Sequence, residues 1–171
     1  MDDPQIPDDC KIPEEVLEAL QKPDELRRHL DEGRSLQELI GYSDEFMQQL
    51  YNAAHDVFQE GRYQEAADGF LFLTTLNPYV YAYWLGLGMS QQLIEEYEQA
   101  IIAYECASKV EPASPIPDYY LAACHLLMNE RDLAKISIEQ AKQKCVGRVS
   151  FASLYEKILK AEQRITKKMS P

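Results

Sequence analysis

The 171-residue chain is sparing with residues that break regular structure: seven glycines and nine prolines. That excludes a collagen-like or Pro/Gly-rich disordered polymer. Cysteine is also scarce. Cys10, Cys106, Cys124 and Cys145 are 96, 18 and 21 positions apart and form no CxxC pair. A chain of this length folds without staples, so free thiols in a reducing cytosol are expected. The opening MDDPQIPDDC has neither a basic start nor an apolar run, which predicts no secretory signal. The most apolar stretch, around Phe70 to Gly88, is interrupted by Asn77-Pro78, which predicts no membrane span and no stable membrane insertion. The expected location is cytoplasmic.

Basic residues are few as well. Seventeen Lys and Arg face 29 Asp and Glu, a net charge of −12. Nucleic-acid binding needs basic side chains that displace counterions from phosphate, so no nucleic-acid partner is expected. The charge is uneven. Residues 1–60 carry 16 acids and 5 bases (−11), whereas residues 142–171 carry 8 bases and 2 acids (+6). Only three histidines occur, none in HExxH, and there is no GxGxxG or GxxxxGK[ST]. Gly86-Leu87-Gly88 falls inside a helical pattern, where it serves packing. No catalytic residue, cofactor or metal ligand is predicted, and the chain is read as a non-enzyme.

What the sequence does contain is a period of 34 residues. Ala66, Ala100 and Ala134 form one column; Ala54, Gly88 and Ala122 form a second; Phe70, Tyr104 and Ile138 form a third. Leu50 and Trp84 are followed by Asp118, and Leu76 and Val110 by Lys144, so two apolar columns end on a charge. Pro78 and Pro112 close the first two blocks, because proline lacks an amide donor and restricts the residue before it. The blocks are 47–80, 81–114 and 115–148. Within each, apolar residues recur three and four apart on both sides of a polar turn, which predicts two antiparallel helices per block. A single block cannot bury its apolar face, so the three must stack.

This period resembles the tetratricopeptide repeat. The second block follows its pattern most closely, with Trp84, Leu87, Gly88, Tyr97, Ala100, Tyr104, Ala107 and Pro112. The third departs most, at Asp118, Asn129 and Arg131. The resemblance implies an all-α tetratricopeptide-repeat solenoid, three helix-hairpin repeats with flanking N- and C-terminal helices. The expected division is a disordered acidic tail over 1–11, an N-terminal helical region over 12–46, the repeats over 47–148 and a C-terminal capping helix over 149–168. Pro23-Asp24-Glu25 starts one N-terminal helix, Ser35 caps another, and Ser43 precedes the first repeat helix. Phe151, Leu154, Tyr155, Ile158, Ala161 and Ile165 trace the stripe of the last helix.

In that fold, positions 2, 5, 9, 12 and 13 of each block line the concave side. Here they include Gln48, Tyr51, His55, Phe58 and Gln59, then Ala82, Leu85, Met89, Gln92 and Leu93, then Ile116, Tyr119, Ala123, Leu126 and Leu127. Such an aromatic and aliphatic trough accepts either an extended or helical apolar peptide or the chain's own flanking helices. The predicted peptide-binding residues are Tyr51, His55, Phe58, Leu85, Met89, Gln92, Tyr119 and Leu126. Of the nearby tyrosines Tyr79, Tyr81 and Tyr83, Tyr79 and Tyr83 are placed to share a side, with at least one of the three exposed.

A narrower resemblance covers roughly residues 35–145. The run LYxxAxxxFxxGxYxxAxxxFxxLxxLxPxxxxYxLGLG, from Leu50 to Gly88, is similar to the class II chaperones of bacterial type III secretion, the SycD/LcrH family. The third-block AACHLLMNERDLAKISIEQA resembles their corresponding segment. The family resemblance implies binding of a hydrophobic translocator-type client through short proline- and leucine-containing segments in the groove. It also implies a homodimer formed through N-terminal helices, for which Val16, Leu17, Leu20, Leu26, Leu30, Leu36, Leu39 and Ile40 supply apolar faces. A generic repeat scaffold or regulatory adaptor is the alternative. A co-chaperone clamp for acidic tails does not fit, because Tyr51, His55, Gly86, Ile116 and Tyr120 stand where its Lys, Arg and Asn residues are required.

Overall fold

In the computed structural model, which describes residues 17–18 and 21–167, every regular element is helical. The expected acidic tail over 1–11, together with Val16, Leu20 and residue 168, lies outside the described residues. Two short helices lead in: α1 (Pro23–Asp31) and α2 (Leu36–Ile40). Three hairpins follow: α3 (Asp44–Gln59) with α4 (Tyr63–Leu76), α5 (Tyr81–Leu93) with α6 (Tyr97–Val110), and α7 (Ile116–Leu127) with α8 (Arg131–Cys145). A 3₁₀ turn at Val149–Phe151 leads into α9 (Ala152–Lys167). From α3 onward each helix packs on its successor, which makes a continuous stack.

Local chemistry sets the starts. Ser35 and Glu38 form a capping box: Ser35 Oγ accepts from the Glu38 amide at 3.2 Å, and the Ser35 amide donates to Glu38 Oε2 at 3.1 Å. Ser43 Oγ accepts from the Phe46 amide at 3.1 Å, with Asp44 and Glu45 in the first turn, where the helix dipole favours acids. Gln37, buried on α2, donates to Asp44 Oδ1 at 2.8 Å and accepts from Asn77 Nδ2 at 2.7 Å. One side chain therefore ties α2 to both ends of the first hairpin.

The columns become the core. Ala66, Ala100 and Ala134 are fully buried, and Phe70, Tyr104 and Ile138 are nearly so. The glycines of α5 make room for these rings. A Cβ on Gly86 would lie 2.5 Å from the Phe70 ring, and one on Gly88 would lie 2.7 Å from the Tyr104 ring. Glycine costs a helix interior about 1 kcal/mol relative to alanine, and here aromatic rings occupy the space it vacates. At the C-terminal end, Ile158 and Ile165 of α9 bury against Ala134, Ile138 and Ala141.

The turns repeat too. Gly61, Glu95 and Asn129, spaced 34 apart, all adopt left-handed backbone, with φ of 80°, 65° and 63°. Asn129, the conspicuous departure from a turn glycine, tolerates that conformation; Glu95, unremarked in the sequence, is the more strained residue. Glu95→Gly is expected to raise stability by about 1 kcal/mol, read as a higher urea midpoint. An unchanged or lowered midpoint would show that the turn carries no strain.

The expectation of an exposed tyrosine holds at Tyr79, whereas that of a shared side needs correcting. Tyr79 precedes α5 and is exposed, whereas Tyr83 is buried within it, so the two do not share a side. The helix begins only at Tyr81, because Asn77 and Val80 are extended, and helical spacing does not apply across that break.

Candidate peptide-binding groove

The first helices of repeats one and two enclose a cavity of about 210 Å³. Tyr51, His55, Phe58 and Gln59 enter from α3, Phe70 from α4, and Tyr81, Ala82, Leu85, Gly86 and Met89 from α5. Residues four apart stand one above another on a helix, which is why Tyr51 and His55, or Leu85 and Met89, share a wall. Tyr51 anchors one side. Its ring meets Phe70 edge-on at 5.9 Å, Tyr83 at 5.8 Å and the His55 ring at 6.1 Å. Phe58 leans on Tyr63 at 5.2 Å.

The lining carries no carboxylate, lysine or arginine. The Tyr81 hydroxyl shares a hydrogen bond with Ser114 Oγ at 2.9 Å, linking two repeats. Burial pushes the Tyr81 phenol above its ordinary pKa, and the bond to Ser114 offsets this only in part, so the phenol stays neutral. A small cavity walled by rings and aliphatic chains, with a few polar edges, suits an apolar side chain presented by a peptide.

Five of the eight anticipated residues therefore line one cavity: Tyr51, His55, Phe58, Leu85 and Met89. The other three lie elsewhere. Gln92 Oε1 accepts from the buried Tyr104 hydroxyl at 2.8 Å. Tyr119 packs against the apolar cluster that α9 closes with Ile158 and Ile165, its ring edge-on to Tyr120 at 5.5 Å. Leu126 lines a second cavity with Asn129, Arg131, Arg164 and Ile165. The sequence reading missed Phe70, Tyr81 and Gly86 as cavity walls. Phe70 belongs to a packing column, and the glycine at 86 opens the path to its ring. A wider, open recess of about 550 Å³ lies beside Pro78, Tyr79, Trp84, Cys106, Lys109 and Val110, away from these residues.

His125 Nδ1 lies 2.8 Å from Glu130 Oε2 at the third turn. Among the described residues, no group of three or more His, Cys, Asp or Glu could hold a metal ion. No helix of the described residues is long and apolar enough to cross a membrane.

Residues 47–79 and 81–111 match the tetratricopeptide repeat family. The low calcium response locus protein H of Yersinia pestis is 26% identical over 126 residues, covering 74% of this chain and 75% of that protein. Among solved structures, the Yersinia enterocolitica type III secretion chaperone SycD, in complex with a peptide of the translocator YopD, superposes with a TM-score of 0.72 at 26% identity, covering 75% of this chain and 98% of that one. PcrH, in complex with the chaperone binding region of PopD, gives 0.74 at 25% identity, covering 76% and 98%. Stacked helical hairpins with an apolar cavity between their first helices define a protein of the tetratricopeptide-repeat class. Within that class, the chain is similar to the type III secretion chaperones SycD and PcrH.

Proposed function

We propose that this protein is a cytosolic holding chaperone for a hydrophobic, translocator-type client of a type III secretion system. The observation that carries the reading is the uncharged cavity between α3 and α5, where Tyr51, Phe58, Leu85 and Met89 converge. A short apolar segment of the client seats a side chain there, and Gln92, Tyr119 and Leu126 extend the contact along the later repeats. Masking that segment keeps an aggregation-prone client soluble until export. SycD in complex with a peptide of the translocator YopD, and PcrH in complex with the chaperone binding region of PopD, support a client of the translocator kind. Co-expression tests it: a translocator-type client that is insoluble alone is expected in the soluble fraction beside this protein. A client that stays insoluble contradicts the reading.

The working unit in this proposal is a homodimer built through residues 12–46. The structure narrows the surface available. Ile40 is buried in the chain's own core and Leu36 packs against it. Leu17 and Leu30 are exposed, and among the described residues no other helix packs closely on α1. Deleting the residues before Arg34 keeps the Ser35 cap and the Gln37 bonds while removing α1. Sedimentation at micromolar concentration should show a dimer for the full chain and a monomer for the shortened one. Equal masses would remove α1 from the interface.

A further inference from the structure

His55 stands apart from the other two histidines. His29 Nε2 lies 2.8 Å from the Ser35 carbonyl oxygen and His125 Nδ1 lies 2.8 Å from Glu130 Oε2; neither lines the cavity between α3 and α5. His55 does, and it is exposed while that cavity is open. The groups that face it are uncharged. On α3 they are Tyr51, whose ring stacks on the imidazole with centroids 6.1 Å apart, Phe58 and Gln59. From α4 comes Phe70, and α5 adds the neutral Tyr81 phenol beside Leu85, Met89 and smaller apolar residues. Asp56, next in the sequence, projects about 100° farther round α3, and Glu60 is held by Arg62 at 2.8 Å, so neither carboxylate enters the lining. Gln59 Nε2 lies 3.4 Å from His55 Nε2, and this amide donor meets an acceptor there only while the ring nitrogen is unprotonated.

We infer that seating a client segment in this cavity drives the proton off His55, so that acidification loosens the client. The inference rests on the groove reading above and adds its regulation. Histidine is the side chain whose charge ordinarily changes between pH 5 and 8. In the open cavity, water solvates the imidazolium. A client side chain displaces that water, and no carboxylate in the wall replaces it. Burying an unpaired cation costs far more than burying the neutral ring, so the client selects the neutral form. Affinity is therefore full where His55 is already neutral. Where it is charged, each binding event releases one proton to solvent, and affinity falls about tenfold per pH unit.

Calorimetric titration of the full chain tests this. The probe is a synthetic peptide, acetylated and amidated, with a Pro-Leu anchor and only uncharged residues, so that it does not itself titrate. The parent should bind it about tenfold more weakly at pH 5.5 than at pH 7.5. At pH 5.5, titrations in two buffers of different ionisation enthalpy should show release of about one proton per peptide bound. His55→Gln should bind with the same affinity at both pH values, whereas His125→Gln should keep the parent's dependence. Acid unfolding would weaken the parent and His55→Gln alike, so it cannot mimic this pattern. Equal parent affinity at the two pH values, or the full dependence retained in His55→Gln, overturns the switch and leaves the groove standing. A peptide that binds at neither pH contradicts the groove reading itself, and the switch falls with it.

Discussion

A variant carrying Tyr51→Ala and Leu85→Ala is expected to bind an apolar client segment at least thirtyfold more weakly than the parent, roughly 2 kcal/mol or more. Tyr51 stands on α3 and Leu85 on α5, on opposite walls of one cavity, so the double truncation removes both sides of the anchor site. Peptide affinity concentrates in such central, desolvated contacts, whereas rim contacts contribute little. Tyr51 also touches Phe70 and Tyr83, so the variant loses some stability, about 2–4 kcal/mol for two half-buried side chains. Binding is therefore measured by calorimetry at a temperature where circular dichroism shows both proteins folded. Phe72→Ala, at an exposed position on α4, is the control and should leave affinity unchanged. A double variant that binds as tightly as the parent places the client elsewhere.

The second large effect concerns Lys144 and Asp118. Lys144 Nζ lies 2.5 Å from Asp118 Oδ2 and donates to Ser108 Oγ at 3.2 Å, joining α6, α7 and α8. The Asp118 side chain is 5% exposed and that of Lys144 is 25% exposed. Lys144→Leu strands a carboxylate in the interior and is expected to cost about 3–5 kcal/mol, seen as a large drop in the urea midpoint. Asp118→Leu should cost less, because the longer Lys144 chain can carry its charge to solvent. Combining the two should recover most of the loss. The first repeat holds Leu50 and Leu76 at these positions, and a buried ion pair is commonly replaceable by apolar residues. If Lys144→Leu alone matches the parent, the pair contributes nothing to the third repeat.

How far the sequence led can be judged at particular residues. The 34-residue period put Ala66, Ala100 and Ala134 in one column, and each is fully buried. Ser35 and Ser43 announced two helix starts; Ser35 caps as expected, and Ser43, expected only to precede its helix, caps it too. These features are legible because they are local: a cap needs three residues, and a helical face repeats every three or four. The resemblance from Leu50 to Gly88 pointed to the family. It also singled out Tyr51, His55 and Phe58, which stand together in the cavity with Leu85 and Met89.

The sequence by itself thus determined the repeat, the helix hairpins, the apolar faces and the absence of catalytic motifs. The tertiary structure alone decided which residues meet across helices. Asp118 and Lys144 looked like separate faults in two apolar columns, and folding makes them one ion pair. Phe70 and Tyr81 became cavity walls because Gly86 carries no side chain to cover them. Leu126 left the anchor cavity for one that includes Arg164, a neighbour supplied by α9 from far along the chain. Periodicity records which face of a helix is buried; it does not record the distance to a side chain on another helix, and only the packed stack sets that distance.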